Sequence, residues 1–299
     1  IALDLLVRDL IQTGQGLPTT KVISAPSGGG ATAVRRPSPP NMSYLFPLGT
    51  TEFPAVVTGD EDGPTVNSLL TDTITVFYAD TLPCQAPCSD PFAPVNVNVA
   101  GDGSSVTVNA TLSPGRPVSG VTDGVKEGDL LLFTALNNYA MQLATADATG
   151  TTVVFGLGDD MNLNQRGTAT AGTIRQLDPT PANLSATYPA SMTRIRMVTY
   201  YIDSDTDANL PRLVRRINMN EGRVVAFGVE GMQFTYDLVD GDTNPTDIDD
   251  PDTPNQIRKT NIGLAVRSTD RNERTGDFAR ASIATQVSFR SLALRDRYQ

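Results

Sequence analysis

The chain is expected to fold as an α+β protein, one short helix followed by a long succession of β-strands. Three features predict this. Residues 1–12 carry Leu3, Leu6, Val7 and Leu10 at the i, i+3, i+4, i+7 spacing of an amphipathic helix. Later stretches alternate apolar and polar residues with many β-branched side chains, the period-2 signature of half-buried strands. Clusters of Gly, Pro, Asn and Asp separate those stretches and supply turns.

In the first segment, Asp4 and Arg8 make a favourable i, i+4 pair, and Gly14, Gly16 and Pro18 end the helix. The helical pattern begins at Ile1 without a cap, which reads as the end of a longer helix. Residues 21–40 are rich in Ser, Gly and Pro and read as loop. The three glycines at 28–30 are followed by no Lys and no helix, so they are not a phosphate loop.

Strand patterns then recur. Ile-Thr-Val-Phe-Tyr at 74–78 is apolar and β-branched. Residues 95–99 and 106–110 alternate around the Gly-Asp-Gly turn at 101–103, a hairpin. Residues 129–134 and 139–144 flank the Asn-Asn pair at 137–138 as a second hairpin, and 151–155 continues the meander. A further cluster starts near Thr193, with strands expected at 194–202, 212–217, 223–227, 231–238, 262–266 and 282–289. The Pro-, Gly- and Asn-bearing stretch 157–189 divides two β subregions. The expected organisation is a helix over 1–16, a first β subregion over 17–156, a loop-rich connection over 157–189 and a second β subregion over 190–299.

Composition narrows the chemistry. The net charge of −10 argues against a nucleic-acid groove, because a phosphate backbone rewards clustered Lys and Arg. The chain has no His, which excludes Ser-His and Cys-His hydrolases and His-ligated zinc. No apolar run reaches the roughly 20 residues of a membrane helix, and no catalytic residue is expected.

The two cysteines, Cys84 and Cys88, sit one residue too far apart for a thioredoxin-type motif, and no other soft ligands accompany them. A small structural disulfide is the expectation against a pair of free thiols, and it suits an oxidising periplasmic or extracellular setting. The acidic stretch 237–252 is the other candidate site. Asp240, Asp242, Asn244, Asp247 and Asp249 could converge on one Ca²⁺, which would relieve their mutual repulsion; the alternative is a solvated acidic hairpin loop. The Asp203, Asp205, Asp207 run begins like an EF-hand. It has Ala208 where the turn glycine belongs and Val214 in place of the bidentate Glu, so an EF-hand is rejected.

The order of these pieces resembles the PilW-type minor pilins of type IV pilus assembly and, more distantly, PulJ-like pseudopilins. The run from Ile1 to Leu10 is similar to the end of the pilin stem helix. The stretches 71–78 and 127–132 are similar to the first two strands of the family's head. Those at 198–203, 213–216 and 224–236, with the Val229-Glu230 pair, are similar to its closing half, and 262–268 and 287–292 to its last strands.

The resemblance implies a pilin-like α+β fold, a truncated stem helix packed on a large, mostly antiparallel β-sheet head. Leu3, Leu6, Val7 and Leu10 would then be the stem-to-head packing residues. It also implies an assembly, priming or tip subunit of a pilus-like filament, with other major and minor pilins as partners. An N-terminal stem preceding these residues would hold the exported subunit in the inner membrane before assembly at the cell surface. The alternative function is a pilus-tip adhesin or receptor for a surface, a glycan or DNA.

Overall fold

A computed structural model describes the chain except residues 1, 19–21, 40, 47–48, 137, 178–186, 240–245, 252–253, 290 and 293–299. Helix α1 (Ala2–Gln12) comes first, and short strands β1 (Ile23–Ser24), β2 (Arg35–Arg36), β3 (Tyr44–Leu45) and β4 (Glu52–Phe53) follow. The first half continues with β5 (Val56–Gly59), β6 (Thr73–Asp80), β7 (Val95–Val99), β8 (Ser105–Val108), β9 (Leu130–Ala135), β10 (Asn138–Leu143) and β11 (Thr152–Val154). The second half adds β12 (Tyr188–Asp203), β13 (Arg212–Ile217), β14 (Arg223–Phe227), β15 (Val229–Leu238), β16 (Ile257–Arg271) and β17 (Phe278–Ser288).

This architecture corrects the expected fold class. Strand accounts for 43% of the chain and helix of every kind for 6%, and the large sheet is a curled half-barrel. The protein is mostly β, and a pilin-like α+β arrangement with a stem helix packed on a sheet is not evident. The reason is visible in α1, which at 11 residues spans about 16 Å. It touches both β6 of the curled sheet and β17 of a separate three-stranded sheet, so it plugs a junction between sheets. The sheets bury far more apolar surface than so short a helix can, and they set the class. No helix among the described residues is long and apolar enough to cross a membrane.

The hub of the 12-stranded sheet is β12. Its first half pairs with β7 over 188–192 and with β9 over 191–195. Its second half pairs with β6 over 194–200 and with β13 over 198–203. Each edge of this one long strand therefore serves two neighbours in succession, which lets the sheet curl without a break. The second sheet has the order β15-β16-β17 and is antiparallel throughout.

Two cores result. The larger gathers Ile74, Val76, Val198 and Tyr200 of the curled sheet with Phe234, Tyr236, Ile262 and Leu264 of the three-stranded sheet, and Leu6 and Leu10 enter it from α1. The smaller holds Val95, Val97 and Val99 of β7 with Phe133 and Phe155, whose rings meet edge to face at 5.5 Å. Strand β9 serves both: Leu130 and Leu132 face the first core, Leu131 and Phe133 the second. Burial on both faces accounts for the unbroken apolar run at 130–133.

Candidate functional site: a buried carboxylate beneath the curled sheet

The apolar stripe of α1 is interrupted by an acid. Leu6 and Leu10 are fully buried, Leu3 and Val7 pack against the same core at its margin, and Asp9 between them is 0% exposed. A lone ionised carboxylate in such a place would cost many kcal/mol, so it needs partners. Three strands supply them. Arg215 of β13 donates through Nε to Asp9 Oδ2 at 2.5 Å. The hydroxyl of Tyr200, on β12, donates to the same oxygen at 2.7 Å, and that of Tyr78, on β6, donates to Oδ1 at 3.1 Å. A second nitrogen of Arg215 closes the ring by donating to the Tyr78 hydroxyl at 3.2 Å.

Register explains why these side chains converge. Tyr200 lies directly opposite Arg215 in the β12–β13 pairing, and Tyr78 opposes Arg196 on the other edge of β12. Positions 196, 198 and 200 of β12 face the same way as 74, 76 and 78 of β6, so one face of three strands presents two phenols and a guanidinium to the helix.

Titration follows this geometry. Burial opposes the charge on Arg215, yet its hydrogen bond to Asp9 and the attraction of that carboxylate outweigh burial and raise its pKa. Burial first and the Asp9 charge second push the Tyr78 phenol up to about 12, and the same causes raise Tyr200 further. The guanidinium and both phenols therefore keep their protons across the physiological range, which suits a fixed joint.

Beside the cluster a cleft of about 880 Å³ opens, lined by six basic and four acidic side chains. Its floor is an ion-pair network. Arg194 reaches Asp80 at 3.2 Å and Asp129 at 3.5 Å, and Arg196 reaches Asp80 at 2.9 Å. Arg194 also donates to the carbonyls of Thr81 and Asp123. Four of the ten charges, Arg194, Arg196, Asp80 and Asp129, pair within the cleft, while Lys126 and Arg215 are drawn to Asp147 and Asp9 outside its lining.

The other expected site residues lie elsewhere. Cys84 and Cys88 form a disulfide in the loop after β6. Asp240, Asp242 and Asn244 lie outside the described residues. Asp247 and Asp249 are exposed, and Asp247 accepts a hydrogen bond from Asn261 at 3.1 Å. Near Asp249 the loop after β5 contributes Asp60, whose pKa is raised by partial burial and then by Asp249 and Glu61.

Sequence reasoning passed over Asp9, although a signal was present. Asp9 is three residues beyond Leu6 and next to Leu10, so it falls on the buried stripe, where a charge demands a partner.

Comparison of the chain with protein-family models, with curated proteins and with solved structures finds no match. Nothing among them identifies a PilW-type pilin.

Proposed function

We propose that the protein is an assembly subunit of a surface filament of the minor-pilin or pseudopilin kind, exported and non-catalytic, with other pilins as partners. The order of sequence motifs from residue 1 to 292 supports the reading. The observation that carries it is the fixing of α1 by Asp9 to Tyr78, Tyr200 and Arg215. A filament subunit works under load, and a buried, hydrogen-bonded ion pair makes the junction of α1 with the β body resist rotation and withdrawal. The same reading places the subunit in the inner membrane before assembly.

The native coding sequence tests this directly. It should encode an apolar run of about 20 residues immediately before Ile1, long enough to cross a bilayer, preceded by a charged leader ending in a small residue. In filament-producing cells, Asp9→Ala should lower filament number by more than it lowers the level of folded subunit. A start codon near Ile1, or a short cleaved signal peptide there, overturns the filament reading.

A further inference from the structure

The outer edge of the three-stranded sheet is an open strand. Among the described residues β17 pairs only with β16, over a continuous register from Lys259↔Ser288 to Arg267↔Arg280. Residues 279–284 are all exposed. Two hydrogen bonds fix which backbone groups point outward. Phe289 donates to the Arg258 carbonyl at 2.8 Å, so the odd-numbered residues of β17 face β16. Arg267, an odd-numbered residue of β16, donates away from β17 to the Gly228 carbonyl at 2.7 Å, as this alternation requires. The N–H and C=O groups of Arg280, Ser282, Ala284 and Gln286 are thus aimed at the free edge.

Soluble proteins usually protect such an edge with proline, a bulge or inward-facing charge. Between Arg280 and Ser288 there is no proline, no carboxylate and no bulge. The one charge, Arg280, is drawn across the sheet to Glu230 at 2.8 Å. Ile283, the one large apolar side chain on the open stretch, is 45% exposed and lies on the face that Leu264 buries.

We propose that β17 pairs antiparallel with β17 of a second copy of this chain, about a two-fold axis through Ile283, joining two three-stranded sheets into one of six strands. This inference stands independently of the filament reading. The strand is self-complementary in this register. Ser282 meets Ala284 and Arg280 meets Gln286 at the hydrogen-bonded positions, all four with outward backbone groups. Ile283 meets its own copy at a non-hydrogen-bonded position, where Cα atoms approach to about 4.5 Å and side chains touch. No like charges face each other. The contact is small, so the association is weak and reversible. Two chains of charge −10 repel, so salt strengthens it.

The test is cross-linking together with sedimentation of the full chain. The natural cysteines are joined to each other, so a cysteine introduced at 283 is the only free thiol. Ile283→Cys should form an interchain disulfide on mild oxidation, because the self-pair lies within the reach of an S–S bond. Ala281→Cys, paired with Thr285, should cross-link at least about fivefold more slowly. The parent should sediment faster as concentration and salt rise. Ala284→Pro removes only an outward N–H, and Ile283→Lys sets two ammonium groups against each other. Both should remain monomeric while keeping the parent's circular dichroism. A parent that is monomeric under all these conditions overturns the proposal. So does equal cross-linking at 281 and 283, or a dimer that survives both Ala284→Pro and Ile283→Lys.

Discussion

Arg215 grips Asp9 at 2.5 Å across 206 residues of sequence, and this contact ties the start of the chain to the middle of the curled sheet. Both groups are out of water, Asp9 entirely and the Arg215 side chain to all but 9%. Removing one partner strands the other charge, whereas removing both leaves an apolar gap. Asp9→Asn and Arg215→Met should each destabilise by about 3–5 kcal/mol in urea melts. The double variant should lose clearly less than the sum of the two. Additive losses would show that the charges do not act on each other.

Asp72 makes a different joint, between the two sheets. Its carboxylate accepts the Phe234 N–H at 2.6 Å and the Glu61 N–H at 3.1 Å. Burial nevertheless pushes its pKa up to about 6, the two N–H bonds offsetting part of that shift and Asp60 and Asp249 adding to it. The folded state therefore holds this proton more tightly than the unfolded chain does. The stabilisation is complete below the ordinary carboxylate range and is lost as pH rises through about 6. At about 1.4 kcal/mol per unit, the Asp72 contribution should fall by up to about 3 kcal/mol over that window. The difference in melting temperature between the parent and Asp72→Asn should shift in that direction from pH 4 to pH 7. A pH-independent difference would count against it.

Gly16 shows how tightly α1's exit is seated. Its φ is +71°, and a Cβ added there would lie 2.5 Å from the Ala79 Cβ on β6. Gly16→Ala should therefore cost more than the usual penalty of about 1 kcal/mol for a left-handed position, because the backbone must also move. A variant melting within a degree of the parent would mean the turn relaxes freely.

What the sequence discloses here is local. The alternation at 95–99 and 106–110 returns as the β7–β8 hairpin, and the runs at 129–134 and 139–144 return as the paired β9 and β10, with Asn138, expected in the turn, already in the strand opposite Ala135. Leu6 and Leu10 sit where helical periodicity put them. Period-2 and period-3.6 patterns are properties of neighbouring residues, so they can be read directly. The strand partners of β12 cannot, because one 16-residue strand serves four neighbours and nothing in its alternation names them. The fold class failed for a related reason. The opening helix and the family resemblance gave 11 residues the weight of a structural layer, and the strands outnumber it. Asp9 was legible as an anomaly on an apolar stripe; its partner, 206 residues away, was not.

The Cys84–Cys88 disulfide closes a ring too small to hold much entropy out of the unfolded state, so other contacts must order its loop. Arg116 supplies them. It reaches the Asp90 carbonyl at 2.7 Å and Cys88 Sγ at 3.4 Å, and it also donates to the Ala93 carbonyl. Gln85 adds a backbone bond to the Gly115 carbonyl at 2.8 Å, so the loop is stitched from the outside as well as across its neck. Replacing both cysteines by serine should cost about 2 kcal/mol or less, the loop-entropy value for so short a ring. Arg116→Met leaves the disulfide intact but frees two backbone carbonyls and the turn they hold. Hydrogen exchange over residues 84–93 should therefore speed up more in Arg116→Met than in the double serine variant, while the β12 amides stay protected in both. The opposite order, fast exchange only on loss of the disulfide, would make the covalent bond and not the arginine the organiser of this loop.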